Sequence, residues 1–134
     1  MRPLDQFEDY LKQGIVKKQS PDRLRADALI METEKSYGSL IEVAEKIGIN
    51  ERNANHVIKN AYDIIMELIR AQMYLQGYGS SGQRAHEAEV SYLRKLNFTD
   101  NEVQFVNQLR YFRNGITYYG KQFDKDYAEK EVPE

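Results

Sequence analysis

Hydrophobic residues recur at three- and four-residue steps along most of the chain, which is the spacing of amphipathic helices rather than of strands. The first long stretch takes Ser20 as its N-terminal cap, with Pro21 at its first helical position, and ends at Gly48. The second takes Asn50 as its N-terminal cap and ends at Gly77. The pattern therefore predicts two long helices in this part of the chain and no strand.

Three shorter stretches complete the pattern. A short N-terminal helix is indicated by three apolar residues: Leu4, Phe7 and Leu11. Residues 77–82 are rich in glycine and serine and are predicted to form a flexible loop, and a third helix follows over residues 83–96. Thr99 opens the last helix, with Glu102 as its capping-box partner. These elements predict an all-α fold, an up-and-down antiparallel four-helix bundle with a short N-terminal helix.

The length of 134 residues fits one domain, with its core at about residues 20–120. Residues 1–19 form the short helix and a linker, and residues 121–134 a charged tail or a short C-terminal helix. The hydrophobic content of 41% is ordinary for a soluble globular protein. Because the net charge is −2, any contact with RNA has to use a local basic patch.

Several classes of site are disfavoured by what the sequence lacks. It has no cysteine and only two histidines, which excludes disulfides and thiolate metal sites, and we expect neither a metal nor a cofactor. No apolar run is long enough for a membrane span, and the first residues lack the apolar core of a signal peptide. We therefore expect a cytoplasmic protein that does not contact a membrane.

The last helix carries the most informative pattern. Its apolar stripe is about 80° wide and holds Phe105, Leu109, Phe112, Ile116 and Tyr119. The opposite face holds Asn107, Arg110, Asn114, Thr117 and Tyr118, with Arg113 at the flank of the stripe. Arginine grips phosphate through paired hydrogen bonds, and asparagine and tyrosine bind directionally. This face is predicted to be a binding site or a protein interface.

The end of this helix resembles the HEPN superfamily, whose last core helix carries arginine, a polar residue, three variable residues and histidine. Arg113 matches the arginine, Asn114 the polar residue, and Tyr118 stands at the position of the histidine. The resemblance extends over about residues 20–120 and includes the glycine turn 77–79. In its order of features the chain is similar to prokaryotic HEPN proteins encoded beside a minimal nucleotidyltransferase.

The resemblance implies a homodimer in which two motif helices build a shared cleft. It also implies binding of RNA or a nucleotide, and a minimal nucleotidyltransferase as partner in a toxin–antitoxin pair. Many relatives are metal-independent ribonucleases, which by resemblance makes Arg113, Asn114 and Tyr118 the candidate catalytic residues. Arg110, Arg113 and Thr117 are the candidate contacts to phosphate or RNA.

Tyr118 departs from the family pattern. A tyrosine with a pKa near 10 is a poor general base at neutral pH, whereas histidine titrates near 6.5. We therefore expect ribonuclease activity to be weak or lost. A non-enzymatic helical adaptor that only dimerises is the main alternative, and a module that presents a nucleotide to the partner is another. Residues 39–60 have the helix–glycine–helix outline of a DNA-binding helix-turn-helix, but the acidic net charge and the two long flanking helices fit a DNA binder poorly.

Three further features receive a structural interpretation. His86, which follows the glycine-rich segment, is interpreted as a helix-start residue with a local hydrogen bond, and a place in the cleft near the motif is the alternative. His56 is interpreted as structural, beside the core stripe of its helix. Tyr62, Met66 and Met73 flank that stripe and are interpreted as additional core or dimer contact.

Overall fold

The computed structural model describes the backbone of residues 3–119 and the side chains of residues 3–116. Within these residues it has five α-helices and two strands: α1 (Phe7–Lys12), β1 (Val16–Lys18), α2 (Arg23–Glu42), α3 (Ala54–Gln76), β2 (Tyr78–Ser80), α4 (Ala85–Ser91) and α5 (Asp100–Tyr119). The π-helical turn Val43–Ile47 extends α2, and the 3-10 turn Tyr92–Leu96 extends α4. The all-α class is confirmed. A regular four-helix bundle is not, and the predicted stop at Gly120 and the tail 121–134 lie outside the described residues.

Helix α3 is the central element of the core. It packs along α2 on one side and contacts α4, α5 and β2 on the others. Its apolar residues are therefore buried over more than the single predicted stripe, and Tyr62, Met66 and Met73 are all inside. The interpretation of these three residues as core is confirmed. Leu68, predicted to face inward, is exposed instead.

Side-chain caps satisfy free backbone amides at the starts of α2 and α5. The predicted capping box of α5 is confirmed: the backbone amide of Thr99 donates to Glu102 Oε1 over 2.9 Å, and the amide of Glu102 donates to Thr99 Oγ1 over 3.2 Å. The predicted cap of α2 is wrong by two residues. Asp22, not Ser20, caps this helix by accepting from the Arg25 amide over 3.0 Å.

The glycine-rich segment predicted to be a flexible loop is instead half of a two-stranded antiparallel sheet. Tyr78 pairs with Lys18, and Ser80 pairs with Val16. The prediction of no strand is therefore wrong here, because three-residue strands are too short to show an alternating pattern. At Gly77 φ is +82°, and an added Cβ would lie 2.6 Å from the backbone oxygen of Gln19. The close approach of the two chain segments thus requires glycine.

Candidate functional site

The buried face of α5 differs from the predicted apolar stripe. Val103, Val106 and Leu109 are buried as expected of apolar residues, but Asn107 is also only 1% exposed. Phe105, predicted to face the core, is 42% exposed. At 100° per residue the buried face is rotated by roughly 90° from the predicted stripe. The prediction that the polar residues lie opposite the core is therefore wrong, because one edge of the polar face points inward.

This rotation brings the polar edge of α5 against polar residues of α3 and α4. We call the resulting group the buried polar centre, and it consists of Tyr62 and Arg70 of α3, His86 and Glu89 of α4, and Arg110 and Arg113 of α5. The ring of Tyr62 is fully buried. The Arg113 guanidinium carbon lies 5.7 Å from the centroid of this ring. Tyr62 thus lies next to both Arg113 of α5 and His86 of α4.

An ion pair holds α3 to α4 within the centre. Arg70 Nε donates to Glu89 Oε2 over 2.9 Å, and Ser80 Oγ donates to the same oxygen over 2.7 Å. Glu89 is only 3% exposed, so its charge depends on these two donors. Burial alone would lower the pKa of Arg70, but the adjacent Glu89 carboxylate outweighs it and raises that pKa. Arg70 therefore keeps its positive charge beside Glu89.

His86 joins this pair to Tyr62. Its Nδ1 lies 3.0 Å from the Tyr62 hydroxyl, and its Nε2 lies 3.4 Å from Arg70 Nη2. Because a guanidinium only donates, Nε2 acts as the acceptor, and Nδ1 carries the proton and donates to the tyrosine oxygen. The interpretation of His86 as a residue with a local hydrogen bond is therefore wrong, since both partners lie on α3. They anchor the start of α4 to that helix.

The electrostatics of the centre keep His86 neutral. Burial lowers its pKa below 6.5, and the charges of Arg70 and Arg113 lower it further, while Glu89 acts in the opposite direction. Burial also favours the neutral form of Tyr62, because it raises the pKa of the Tyr62 hydroxyl more than the neighbouring arginines lower it. His86 and Tyr62 are therefore both neutral at neutral pH.

On α5 itself, two donors lie buried without a partner among the described residues. Arg110 Nε donates to Asn107 Oδ1 over 3.0 Å, but the Nδ2 group of Asn107 has no acceptor. Arg113 Nε is buried and also lacks an acceptor. Each unsatisfied buried donor costs about 1–3 kcal/mol, more for a charged group. A ligand that offers an acceptor to either donor recovers the free energy of that donor.

The structure describes the side chains of only some of the predicted site residues. Arg110, Arg113 and Asn114 are half-buried on α5, and the first two lie in the buried polar centre. Thr117 and Tyr118 lie on the helical backbone of α5, but their side chains lie outside the described part.

Sequence reasoning missed Arg70 and Glu89, which look like ordinary surface residues of helices. The available signal was the spacing between His86 and Glu89, which places both on one face of α4. His56, interpreted as structural, is exposed on α3.

Comparisons with protein-family models, with curated proteins and with solved structures find no match for this chain. In the described part of the chain, no three histidine or acidic side chains are grouped to hold a metal ion. Among the helices of residues 3–119, none combines the length and apolar character needed to cross a bilayer.

Proposed function

We propose that this chain is a HEPN-like protein that binds the phosphate of RNA or of a nucleotide at the polar edge of α5. In this proposal it acts as a homodimer with a minimal nucleotidyltransferase partner of the toxin–antitoxin type, and α4 with its 3-10 turn serves as the fourth helix of the bundle. Support comes from the sequence pattern at Arg113, Asn114 and Tyr118, which falls at the end of the last described helix.

The observation that carries the proposal is that the Arg113 side chain has a buried donor without an acceptor. Its Nε is buried and has no acceptor among the described residues, and the unpartnered amide nitrogen of Asn107 lies on the same helix. Arg110 and Arg113 both lie close enough to Tyr62 to lower its pKa, and no ion pair between either arginine and a carboxylate is described among residues 3–116. Phosphate supplies both the negative charge and the acceptor oxygens that these donors lack.

A helical adaptor without a nucleic-acid role is the second candidate. One observation favours it: an apolar groove of about 750 Å³ lies between α3 and α5, and its lining includes the exposed side chains of Leu68, Phe98 and Phe105. Exposed apolar surface of this kind is typical of protein-binding sites. An adaptor needs no unpaired arginine, so phosphate binding distinguishes the two proposals.

The test of phosphate binding compares Arg113→Ala with Arg52→Ala, which removes the same charge from an exposed position. Fluorescence anisotropy with a single-stranded oligoribonucleotide measures affinity at several salt concentrations. Loss of a charge-assisted phosphate contact costs about 1.5–3 kcal/mol, which is about tenfold to 150-fold in affinity. We expect this loss for Arg113→Ala, with a smaller salt dependence, and little change for Arg52→Ala. Equal effects of the two variants would contradict the proposal.

The proposed homodimer is tested separately by light scattering coupled to gel filtration. A chain of 15.7 kDa that dimerises should show twice this mass at micromolar concentrations. If the interface includes the end of α5, Asn114→Arg should shift the population toward monomer, because it introduces a charge at the contact. A wild-type monomer over the whole concentration range would contradict this part of the proposal.

A further inference from the structure

A small cavity lies between α3, α4 and β2, beside the buried polar centre. Its volume is about 260 Å³. The side chains that matter in its wall are Arg70, Tyr74, Tyr78, Ser80, His86 and Glu89. This volume lies below the roughly 300–1,000 Å³ of pockets for drug-sized ligands, so the cavity suits one small group.

The wall offers both a cationic donor and an anionic acceptor. The hydrogen bonds described for Arg70 use Nε and Nη2, which leaves Nη1 for a ligand acceptor. Glu89 receives its two donors on Oε2, and its Oε1 has no partner among the described residues. A ligand that matches this wall therefore carries acceptors for an arginine next to N–H donors for a carboxylate.

The wall also contains two aromatic rings. Tyr74 and Tyr78 line the cavity, and the guanidinium of Arg25 lies 4.5 Å from the ring centroid of Tyr74. The ring of Tyr78 makes an edge-on contact with the ring of Phe7, at 5.1 Å between ring centroids. Rings fixed in this way favour a flat aromatic ligand over a flexible chain of the same polarity.

We propose that this cavity binds a guanine base. Guanine presents the acceptor pair O6 and N7 to an arginine, here Arg70, and its adjacent N1–H and N2–H groups donate to a carboxylate, here Glu89. Adenine fits less well, because its N6 amino group would place a donor against the arginine.

This inference deepens the proposed function, because the base pocket adjoins the phosphate site. The Arg113 guanidinium lies 5.7 Å from the Tyr62 ring, which lies 6.0 Å from the His86 ring in the cavity wall. Both sites therefore adjoin the same buried tyrosine.

The experiment uses isothermal titration calorimetry on the full chain with guanosine, adenosine and ribose 5-phosphate as separate probes. We expect guanosine to bind at least about tenfold more tightly than adenosine. Glu89→Gln should weaken guanosine binding at least about tenfold. Ala85→Leu fills the cavity without removing the ion pair and should abolish guanosine binding. Arg52→Ala should bind guanosine as the wild type does.

Ala85→Leu keeps the test valid if the loss of the buried charge in Glu89→Gln prevents folding, and circular dichroism confirms that each variant is folded. Equal binding of guanosine and adenosine, no binding of guanosine, or unchanged binding by folded Ala85→Leu would overturn the base pocket. Ribose 5-phosphate lacks a base and reports only on the phosphate site, so its binding separates failure of the pocket from failure of the proposed function.

A guanine base reaches the cavity either as a free nucleotide or as a residue of RNA. The two sources are compared with guanosine 5′-monophosphate and with two short oligoribonucleotides, one containing guanine and one without it. Tighter binding of the guanine-containing oligonucleotide than of the monophosphate assigns the site to RNA, and equal binding assigns it to the nucleotide. Equal binding of the two oligonucleotides would overturn guanine recognition.

Discussion

Replacing Glu89 by glutamine tests how much the buried ion pair contributes to stability. Glutamine keeps the shape of the side chain and still accepts from Ser80, but it removes the negative charge opposite Arg70. The side chain of Glu89 is 4% exposed and that of Arg70 is 29% exposed, so most of both groups is removed from water. The remaining arginine then lies beside a neutral partner in a largely dry environment.

The expected loss follows from this burial. Breaking a fully buried pair by removing one partner costs about 3–5 kcal/mol. Because the Arg70 guanidinium keeps some contact with water, we expect about 2–3 kcal/mol for Glu89→Gln, within the range of hydrogen bonds to charged groups. Replacing both partners, as in Arg70→Met with Glu89→Leu, should recover much of this loss, because no unpaired charge remains.

Equilibrium unfolding in urea measures the effect, with an unchanged m-value as the sign that the unfolding transition is the same. Glu42→Gln is the matched control, since Glu42 pairs with Lys46 over 3.1 Å on the surface of the helix, at 63% and 74% exposure. A surface pair of this kind contributes less than about 1 kcal/mol. A loss for Glu89→Gln no larger than that for Glu42→Gln would refute the argument from burial.

Three further predictions concern a histidine, a glycine turn and the motif tyrosine. Because the pKa of His86 is lower in the folded than in the unfolded state, the unfolded state takes up a proton at higher pH. The free energy of unfolding should therefore fall as pH drops below about 6.5 and level off below the folded-state pKa. His86→Gln should flatten this part of the pH–stability curve. Gly77→Ala should cost more than about 1 kcal/mol in urea unfolding, because its Cβ meets the backbone of Gln19, whereas Gly14→Ala, with a similar φ and open space around it, should cost less. Tyr118→His should raise metal-independent cleavage of RNA with a pH dependence near 6.5, and cleavage no greater than that of the wild type would remove the missing histidine as the explanation.

Local signals of the sequence predicted some ends of elements but not the starts of α2 and α3. The capping box at Thr99 and Glu102 and the glycine stop at Gly77 are both present, because caps depend on residues within one helical turn. The pairing of residues 16–18 with residues 78–80 was not predicted, because strands this short carry no period and their partners lie far apart in the chain.

The orientation of α5 shows why the site was predicted only in part. Periodicity assumes that the apolar side is the buried side, which placed Phe105 inside and Asn107 outside. The packed helix instead buries Asn107 and turns Arg110 and Arg113 toward α3 and α4, where polar partners exist. Those partners belong to other helices, so no pattern within α5 could reveal them.

The central claim, that Arg113 holds phosphate, is tested most directly by the NMR signal of its Nε–H group. The signal is assigned by its absence in Arg113→Lys and followed while ribose 5-phosphate is added. Because Arg113 Nε is buried and has no acceptor among the described residues, a phosphate oxygen that reaches it should shift this signal in a saturable manner. The signal of exposed Arg52 should stay in place. An Arg113 signal that does not move at saturating ligand, or that moves no more than that of Arg52, would contradict the account.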